Sequence, residues 1–146
     1  MIIKTRHTGL VVKDIGASIA FYEALGLIVW RREIEQGKFI SNVVGLENAV
    51  IETAKLKLPD DSLVELLQYH SHPAKAGIEN SASNKHGCSH IAFTVVSVDA
   101  ACEALLELGG SVVNRPSLAP NGMVKVAYGH DIDGILLELV EELSGA

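Results

Sequence analysis

The chain carries one pattern twice, and this internal repeat limits the folds that it can adopt. Residues His7–Leu27 and His90–Gly110 align without a gap. The matched positions are His7 with His90, Leu10 with Phe93, Val12 with Val95, Ile15 with Val98, Ala17 with Ala100, Leu25 with Leu108 and Gly26 with Gly109. A second similarity follows each copy, LVELL at Leu63–Leu67 and LLELV at Leu136–Val140. We therefore expect two modules of one plan, each opening on a histidine and closing on a glutamate.

Composition and charge narrow the class of protein. With 146 residues, 48% of them hydrophobic and 21% charged, the chain is typical of one globular domain, residues 1–146. The net charge is −6 and no Lys/Arg run occurs, which argues against a nucleic-acid partner. No apolar run approaches a membrane span, and the N-terminus does not resemble a signal peptide. Cys88 and Cys102 lack the spacing of a metal or redox site. Cys102 is predicted to be a buried apolar residue. Because no disulfide pattern is present, a reduced, cytoplasmic location is expected.

Module one, residues 3–70, is predicted to have the order βαβββ. Its predicted strands are Thr5–Val12, Leu27–Ile34, Ala49–Leu58 and Leu63–Tyr69. Asp14 is a suitable N-cap for the helix that follows, and Gly26 is a suitable residue to end it. The segment Gln36–Glu47 contains two glycines and an asparagine, and it is predicted to be a loop with one short helical turn. Pro59–Ser62 has the composition of a tight turn.

Module two, residues 88–142, repeats this order after a linker at residues 71–87. The linker is long enough to be mobile or to form part of a site. The predicted elements are the strand Ser89–Val96, the helix Asp99–Leu108, the strand Ser111–Asn114, the loop Arg115–Asn121 and the strands Met123–Tyr128 and Ile135–Val140. Asp133-Gly134 between the last two strands indicates a hairpin. The fold class predicted from these elements is α+β, with two tandem βαβββ modules.

Four residues stand at equivalent places in the repeat: His7, Glu65, His90 and Glu138. Each glutamate lies among leucines, where an ionised carboxylate is costly unless it is paired or binds a metal. Two imidazoles and two carboxylates suit a divalent ion such as Ni, Co, Mn, Fe or Zn, with positions left open for water or substrate. The plainer alternative is that the histidines belong to the core and the glutamates to solvated strand faces. The repetition favours the metal.

These residues carry a family resemblance. HTGLVVKD at His7–Asp14, FYEALGL at Phe21–Leu27 and HDIDGILLEL at His130–Leu139 resemble the vicinal oxygen chelate superfamily, which has the glyoxalase/bleomycin-resistance/dioxygenase fold. In that fold two βαβββ modules form a curved mixed sheet around a cleft, and the metal ligands come from the first and last strands of each module. The resemblance implies that His7, Glu65, His90 and Glu138 are the metal ligands.

The resemblance also implies a chemistry. A His-Glu-His-Glu set is similar to that of bacterial-type glyoxalase I, which favours Ni or Co, and it is compatible with methylmalonyl-CoA epimerase. Both enzymes remove a proton from carbon next to a carbonyl, while one divalent metal ion per site stabilises the enediolate-like charge. Glu138 and Glu65 are the candidate bases, with Glu138 preferred. The implied substrate is a 2-oxoaldehyde–glutathione adduct or an acyl-CoA, and the implied assembly is a homodimer.

Two other classes of function stay open. An Fe(II) extradiol-type dioxygenase would act on a catechol-like substrate, but that group uses two histidines and one glutamate and leaves the place of Glu65 unligated. A small-molecule binding or resistance protein of the same fold would use the cleft without a metal. Several further polar residues are interpreted as ordinary loop residues, although they are placed to line a site: His70, His72, Arg115, Asn121 and Lys125.

Overall fold

The computed structural model describes residues 1–75 and 79–143, and its elements give the predicted α+β class. Contacts divide the chain into two compact units, Met1–Gly77 and Ile78–Ala146. Part of the predicted linker, residues 76–78, lies outside the described residues. Within the described ranges, no helix is both long and apolar enough to cross a membrane.

The described part of the first unit, residues 1–75, contains four strands and two helices. Its elements are β1 (Thr8–Val11), α1 (Ile15–Ala24), β2 (Ile28–Gln36), α2 (Lys38–Val44), β3 (Val50–Lys57) and β4 (Leu63–Tyr69). The sheet has the order β1-β4-β3-β2, in which β1 runs parallel to β4 and the other pairs are antiparallel. Helix α1 packs on this sheet, and Tyr22, Leu56 and Leu66 are fully buried there.

The second unit repeats the plan of the first, but the strands at its outer edge, β6 and β7, are only two residues long. Its elements are β5 (Ile91–Thr94), α3 (Val98–Glu107), β6 (Ser111–Val112), β7 (Ser117–Leu118), β8 (Val124–His130) and β9 (Leu136–Glu142). The order is β5-β9-β8-β6, β7 also pairs with β8, and β5 runs parallel to β9. Helix α3 packs on β8, β6 and β9. Cys102 on α3 is buried as predicted, and burial raises the pKa of its thiol.

The two equivalent helices end in the same way. After α1, Gly26 has a φ of 102°, and the N–H of Leu27 donates to the carbonyl of Tyr22. After α3, Gly109 has a φ of 90°, and the N–H of Gly110 donates to the carbonyl of Leu105. This is the Schellman arrangement, in which a residue with positive φ reverses the chain. The expectation for Gly26 is confirmed, and the repeat extends to the backbone hydrogen bonds.

Each unit also ties the start of its helix to its last strand. The side-chain oxygen of Gln68 in β4 accepts from the N–H of Ile15 at 2.8 Å. In the second unit a carboxylate oxygen of Glu141 in β9 accepts from the N–H of Val98, also at 2.8 Å. An unpaired N–H at a helix start is thereby satisfied. The first turn of each helix is therefore held beside the strand that carries the candidate glutamate.

The segment Gln36–Glu47 differs from its prediction, since it contains the seven-residue helix α2 rather than a loop with one turn. The two glycines in this segment are the boundaries of the helix: Gly37 is its N-cap, and Gly45 ends it in the left-handed conformation. Ile40 faces a small core with Ala49 and Ile51. Burial of that apolar face stabilises a helix whose local sequence is a poor indicator.

The second unit differs from its prediction at one loop. Arg115–Asn121 contains the short strand β7, whose Ser117 and Leu118 pair with β8. Two residues are too few to give a periodic signal, so only the pairing partner identifies the strand. The opening strands are also shorter than predicted: β1 begins at Thr8 and β5 at Ile91, where each meets its parallel neighbour.

The predicted linker is attached to each unit by hydrogen bonds. The hydroxyl of Ser71 accepts from the N–H of Val50 at 2.7 Å. Further along, Nε2 of the buried His130 lies 2.9 Å from the carbonyl oxygen of Ser81, and the N–H of Ser81 donates to Gly134 at 3.2 Å. These bonds bring the segment that follows Ser81 alongside the second unit.

We expect Gly110→Ala to destabilise the protein by about 1–3 kcal/mol, because the added methyl group would overpack the site. A Cβ there would collide with the carbonyl oxygen of His130 and lie 3.0 Å from that of Leu105, and backbone atoms yield little. Gly16→Ala is the matched control, since its Cβ would meet only the side chain of Asp14, at 3.4 Å. Denaturant unfolding of both variants measures the difference. Equal stability of the two variants would contradict the expectation.

Candidate functional site

Strand register brings each predicted histidine to its predicted glutamate. Gly9 pairs with Glu65 across the parallel strands β1 and β4, and Ala92 pairs with Glu138 across β5 and β9. Each histidine lies two residues before the residue that faces the glutamate, and residues two apart share a strand face. His7 and His90 directly precede their strands, so their side chains lie at the strand ends beside the carboxylates. The two units build the same pair independently.

The pair in the first unit is close and mostly covered. Nε2 of His7 lies 2.6 Å from Oε2 of Glu65, and the side chains are 31% and 10% exposed. The other ring nitrogen of His7, Nδ1, is buried and has no hydrogen-bond partner among the residues that the structure describes. Glu65 is one of few buried charged residues in the described ranges. Its carboxylate contacts His7.

The pair in the second unit is slightly wider and more open. Nε2 of His90 lies 3.0 Å from Oε2 of Glu138, and the side chains are 32% and 24% exposed. Here the other ring nitrogen has a partner, because Nδ1 of His90 lies 2.8 Å from the hydroxyl oxygen of Ser89. That hydroxyl donates to the carbonyl of Ser83 at 2.9 Å. The sequence patterns did not single out Ser89, since its role depends on the turn that brings Ser83 close.

The cross-strand neighbours of the two glutamates differ. Lys55 lies opposite Glu65, whereas Tyr128 lies opposite Glu138. The ring of Tyr128 meets His90 edge to face, with centroids 5.3 Å apart and planes at 84°. Burial raises the pKa of Tyr128, and the charge of Glu138 adds to the effect. The two His–Glu pairs therefore have the same residue types, but a lysine lies opposite the glutamate in one pair and a tyrosine in the other.

Three of the other sequence candidates, His70, Lys125 and Asn121, have structural partners of their own. His70 is exposed, and its Nε2 lies 2.9 Å from Glu52, which also pairs with Arg32. The hydrogen bond from His70, followed by that from Arg32, lowers the pKa of Glu52.

Lys125 pairs with Asp99 at the start of α3. Asn121 accepts the N–H of Met123 within its turn, as loop residues commonly do. His72 and Arg115 are exposed.

The donor set of each pair can hold a divalent ion. Imidazole nitrogen and carboxylate oxygen are ligands of Zn and of the neighbouring transition metals. Over the described residues, there is no group of three or more His, Cys, Asp or Glu side chains that could hold a metal ion. Each His–Glu pair offers two donors.

Comparison with known proteins identifies relatives along nearly the whole chain. A lactoylglutathione lyase of Pseudomonas aeruginosa is 33% identical over 144 residues, which cover 92% of this chain and 80% of that protein. A lactoylglutathione lyase of Salmonella typhimurium is 32% identical, with 92% and 90% covered. A probable lactoylglutathione lyase of Synechocystis is 28% identical, with 94% and 95% covered.

Solved structures share the fold. A glyoxalase family protein from Bacillus cereus superposes with a TM-score of 0.91 at 27% identity, covering 99% of this chain and 97% of that one. A fosfomycin resistance protein from Listeria monocytogenes, solved with Mn(II) and sulfate, has a TM-score of 0.64 at 18% identity, with 98% and 95% covered. The second likeness concerns the fold alone.

The resemblance seen in the sequence is confirmed by these relatives and by a family match. The sequence model of the glyoxalase/bleomycin resistance protein/dioxygenase superfamily matches residues 4–139, which include both histidines and both glutamates. The chain belongs to the glyoxalase/bleomycin resistance protein/dioxygenase superfamily.

Proposed function

We propose that this protein is a metal-dependent lyase of the glyoxalase I type. Its substrate would be the adduct of a 2-oxoaldehyde with glutathione, and its product the glutathione thioester of a 2-hydroxy acid. The observation that carries the proposal is the pair of His–Glu contacts, 2.6 and 3.0 Å long, at equivalent positions of the repeat. The names of the relatives support a lyase rather than the methylmalonyl-CoA epimerase that the sequence left open.

We infer that His7, Glu65, His90 and Glu138 together ligate one divalent metal ion. Two nitrogen and two oxygen donors leave room for substrate oxygens or water on a six-coordinate ion, and Ni or Co is our first choice before Zn, Mn or Fe. When bound, the metal would supply electrostatic stabilisation of the negative charge that develops on substrate oxygen.

The glutamates would move the proton. The base removes a proton from the carbon that bears the hydroxyl and the sulfur, and the electron pair moves toward the neighbouring carbonyl. The same proton then returns to the neighbouring carbon, and the hydroxyl proton moves from the first oxygen to the second. The first carbon becomes the thioester carbonyl and the second bears the hydroxyl, so that no atom is gained or lost. Glu138 is the better candidate, because its side chain is 24% exposed and that of Glu65 only 10%. A base has to reach the substrate carbon.

The test is an assay of tag-free protein, purified without chelator and loaded separately with Ni, Co, Zn, Mn and Fe(II). We expect thioester to form from methylglyoxal and glutathione with at least one of these ions, and the signal to disappear with chelator. An acyl-CoA epimer exchange assay and a catechol oxygen-uptake assay run in parallel. Activity only in the epimer exchange assay or only in the oxygen-uptake assay would contradict the proposal. Thioester formation that does not depend on metal would contradict it as well.

We also propose a homodimer in the cytoplasm. The edge strand β2 exposes Ile28, Trp30 and Ile34, which are 70%, 55% and 59% accessible. An exposed edge with large apolar side chains is a surface that a second chain can cover. Sedimentation of the purified protein measures the mass of the assembly, and a monomer at all concentrations would contradict the dimer.

A further inference from the structure

We propose that Ser89 is a positioning residue that holds the ring proton of His90 on Nδ1 and leaves the Nε2 lone pair for a metal ion. The inference rests on the proposed function, because it concerns a ligand of the metal inferred there. It assigns to Ser89 a role that neither the repeat nor the match to the superfamily indicates.

The hydrogen-bond chain fixes the direction of each proton. A backbone carbonyl only accepts, so the hydroxyl hydrogen of Ser89 lies toward the oxygen of Ser83, 2.9 Å away. The hydroxyl has no second hydrogen to give. At the 2.8 Å contact with His90, Ser89 therefore accepts, and Nδ1 of the ring carries the proton.

This arrangement opposes the effect of the nearby carboxylate. Glu138 lies 3.0 Å from Nε2 of His90, and a carboxylate alone would favour the neutral tautomer with the proton on Nε2. In that tautomer Nε2 has no lone pair to give to a metal. The carbonyl of Ser83, acting through Ser89, favours the other tautomer. A metal ligand whose second nitrogen donates a hydrogen bond is oriented and made more basic.

The first unit lacks this device. Nδ1 of His7 is buried with no hydrogen-bond partner among the described residues, and the residue before it is Arg6 instead of a serine. The two ligand histidines are therefore not equivalent, although the repeat aligns them. The histidine of the second unit is prepared for the metal, whereas that of the first unit depends on its carboxylate partner alone.

The first experiment determines which ring nitrogen of His90 carries the proton when no metal is bound. Metal-free protein with ¹⁵N-labelled histidine is studied by NMR at an alkaline pH, where imidazole rings are neutral. We expect His90 to carry its proton on Nδ1 in the wild type and in Ser89→Thr, which keeps the hydroxyl. We expect Ser89→Ala to shift the proton to Nε2. A wild-type proton on Nε2, or no change in Ser89→Ala, would overturn the inference whatever the metal does.

The second experiment measures the affinity for Zn(II) and Co(II) by competition with a chromophoric chelator. We expect Ser89→Ala to weaken binding roughly 10- to 100-fold, the usual loss for an outer partner of a ligand. Ser89→Thr should restore most of the affinity. Ser83→Ala is the matched control, because only its backbone carbonyl takes part, and it should bind like the wild type.

The outcomes separate the two proposals. Wild-type protein that binds no metal would overturn the proposed function and the metal part of this inference, and the tautomer measurement would still decide whether Ser89 directs the proton. A wild type that binds metal, with Ser89→Ala binding equally well, would overturn this inference and leave the proposed function standing. Equal weakening in Ser83→Ala would show a general effect of the turn and would also overturn it.

Discussion

Glu138→Gln is expected to lower kcat for thioester formation by about 10²- to 10⁴-fold, the usual contribution of a positioned general base. The amide has nearly the same size as the carboxylate but accepts no proton at neutral pH. Its oxygen can still contact a metal, so kcat is measured at saturating metal and substrate. Glu142→Gln is the matched control, because Glu142 lies exposed at the end of the same strand.

The comparison with Glu65 decides which glutamate acts as the base. If Glu65 is a permanent ligand, Glu65→Gln should lower kcat at saturating metal less than Glu138→Gln does. The reverse order, with Glu138→Gln close to the wild type, would assign the proton transfer to Glu65. Equal losses in Glu142→Gln would point to a general effect of lost charge on this strand.

His7→Ala and His90→Ala are each expected to abolish stable metal binding. Each change removes one of two nitrogen donors, which should cost more than the roughly 10- to 100-fold of a lost outer partner. Metal content after dialysis, followed by chelator competition, measures the loss. His86→Ala is the control, since this exposed histidine belongs to neither pair.

Both histidines have to matter if the four residues act on one ion. Retention of full affinity in one variant would show that a single His–Glu pair binds the metal, and the four-ligand site would then be wrong. Circular dichroism of each variant separates metal loss from unfolding. Each histidine is about one-third exposed, so replacement by alanine leaves no large cavity in the core.

The repeat made much of the fold predictable, because local signals agree with the tertiary structure in those places. Asp14 caps α1 through the N–H of Ala17, and Gly26 ends the helix as expected. The strand Leu63–Tyr69 has the predicted bounds. The segments that differ are the ones that depend on packing or pairing with another element: α2 packs on a core with Ala49, and β7 exists only by pairing with β8.

Residue order alone places two histidines and two glutamates at equivalent positions of the repeat, because strand alternation follows from the order of polar and apolar residues. Which atoms meet depends on the folded backbone. The parallel registers Gly9–Glu65 and Ala92–Glu138 create the pairs, and a turn at Ser83 gives His90 the hydrogen bond that His7 lacks. Contacts between residues far apart in the chain depend on the register and paths of the backbone, which local patterns do not specify.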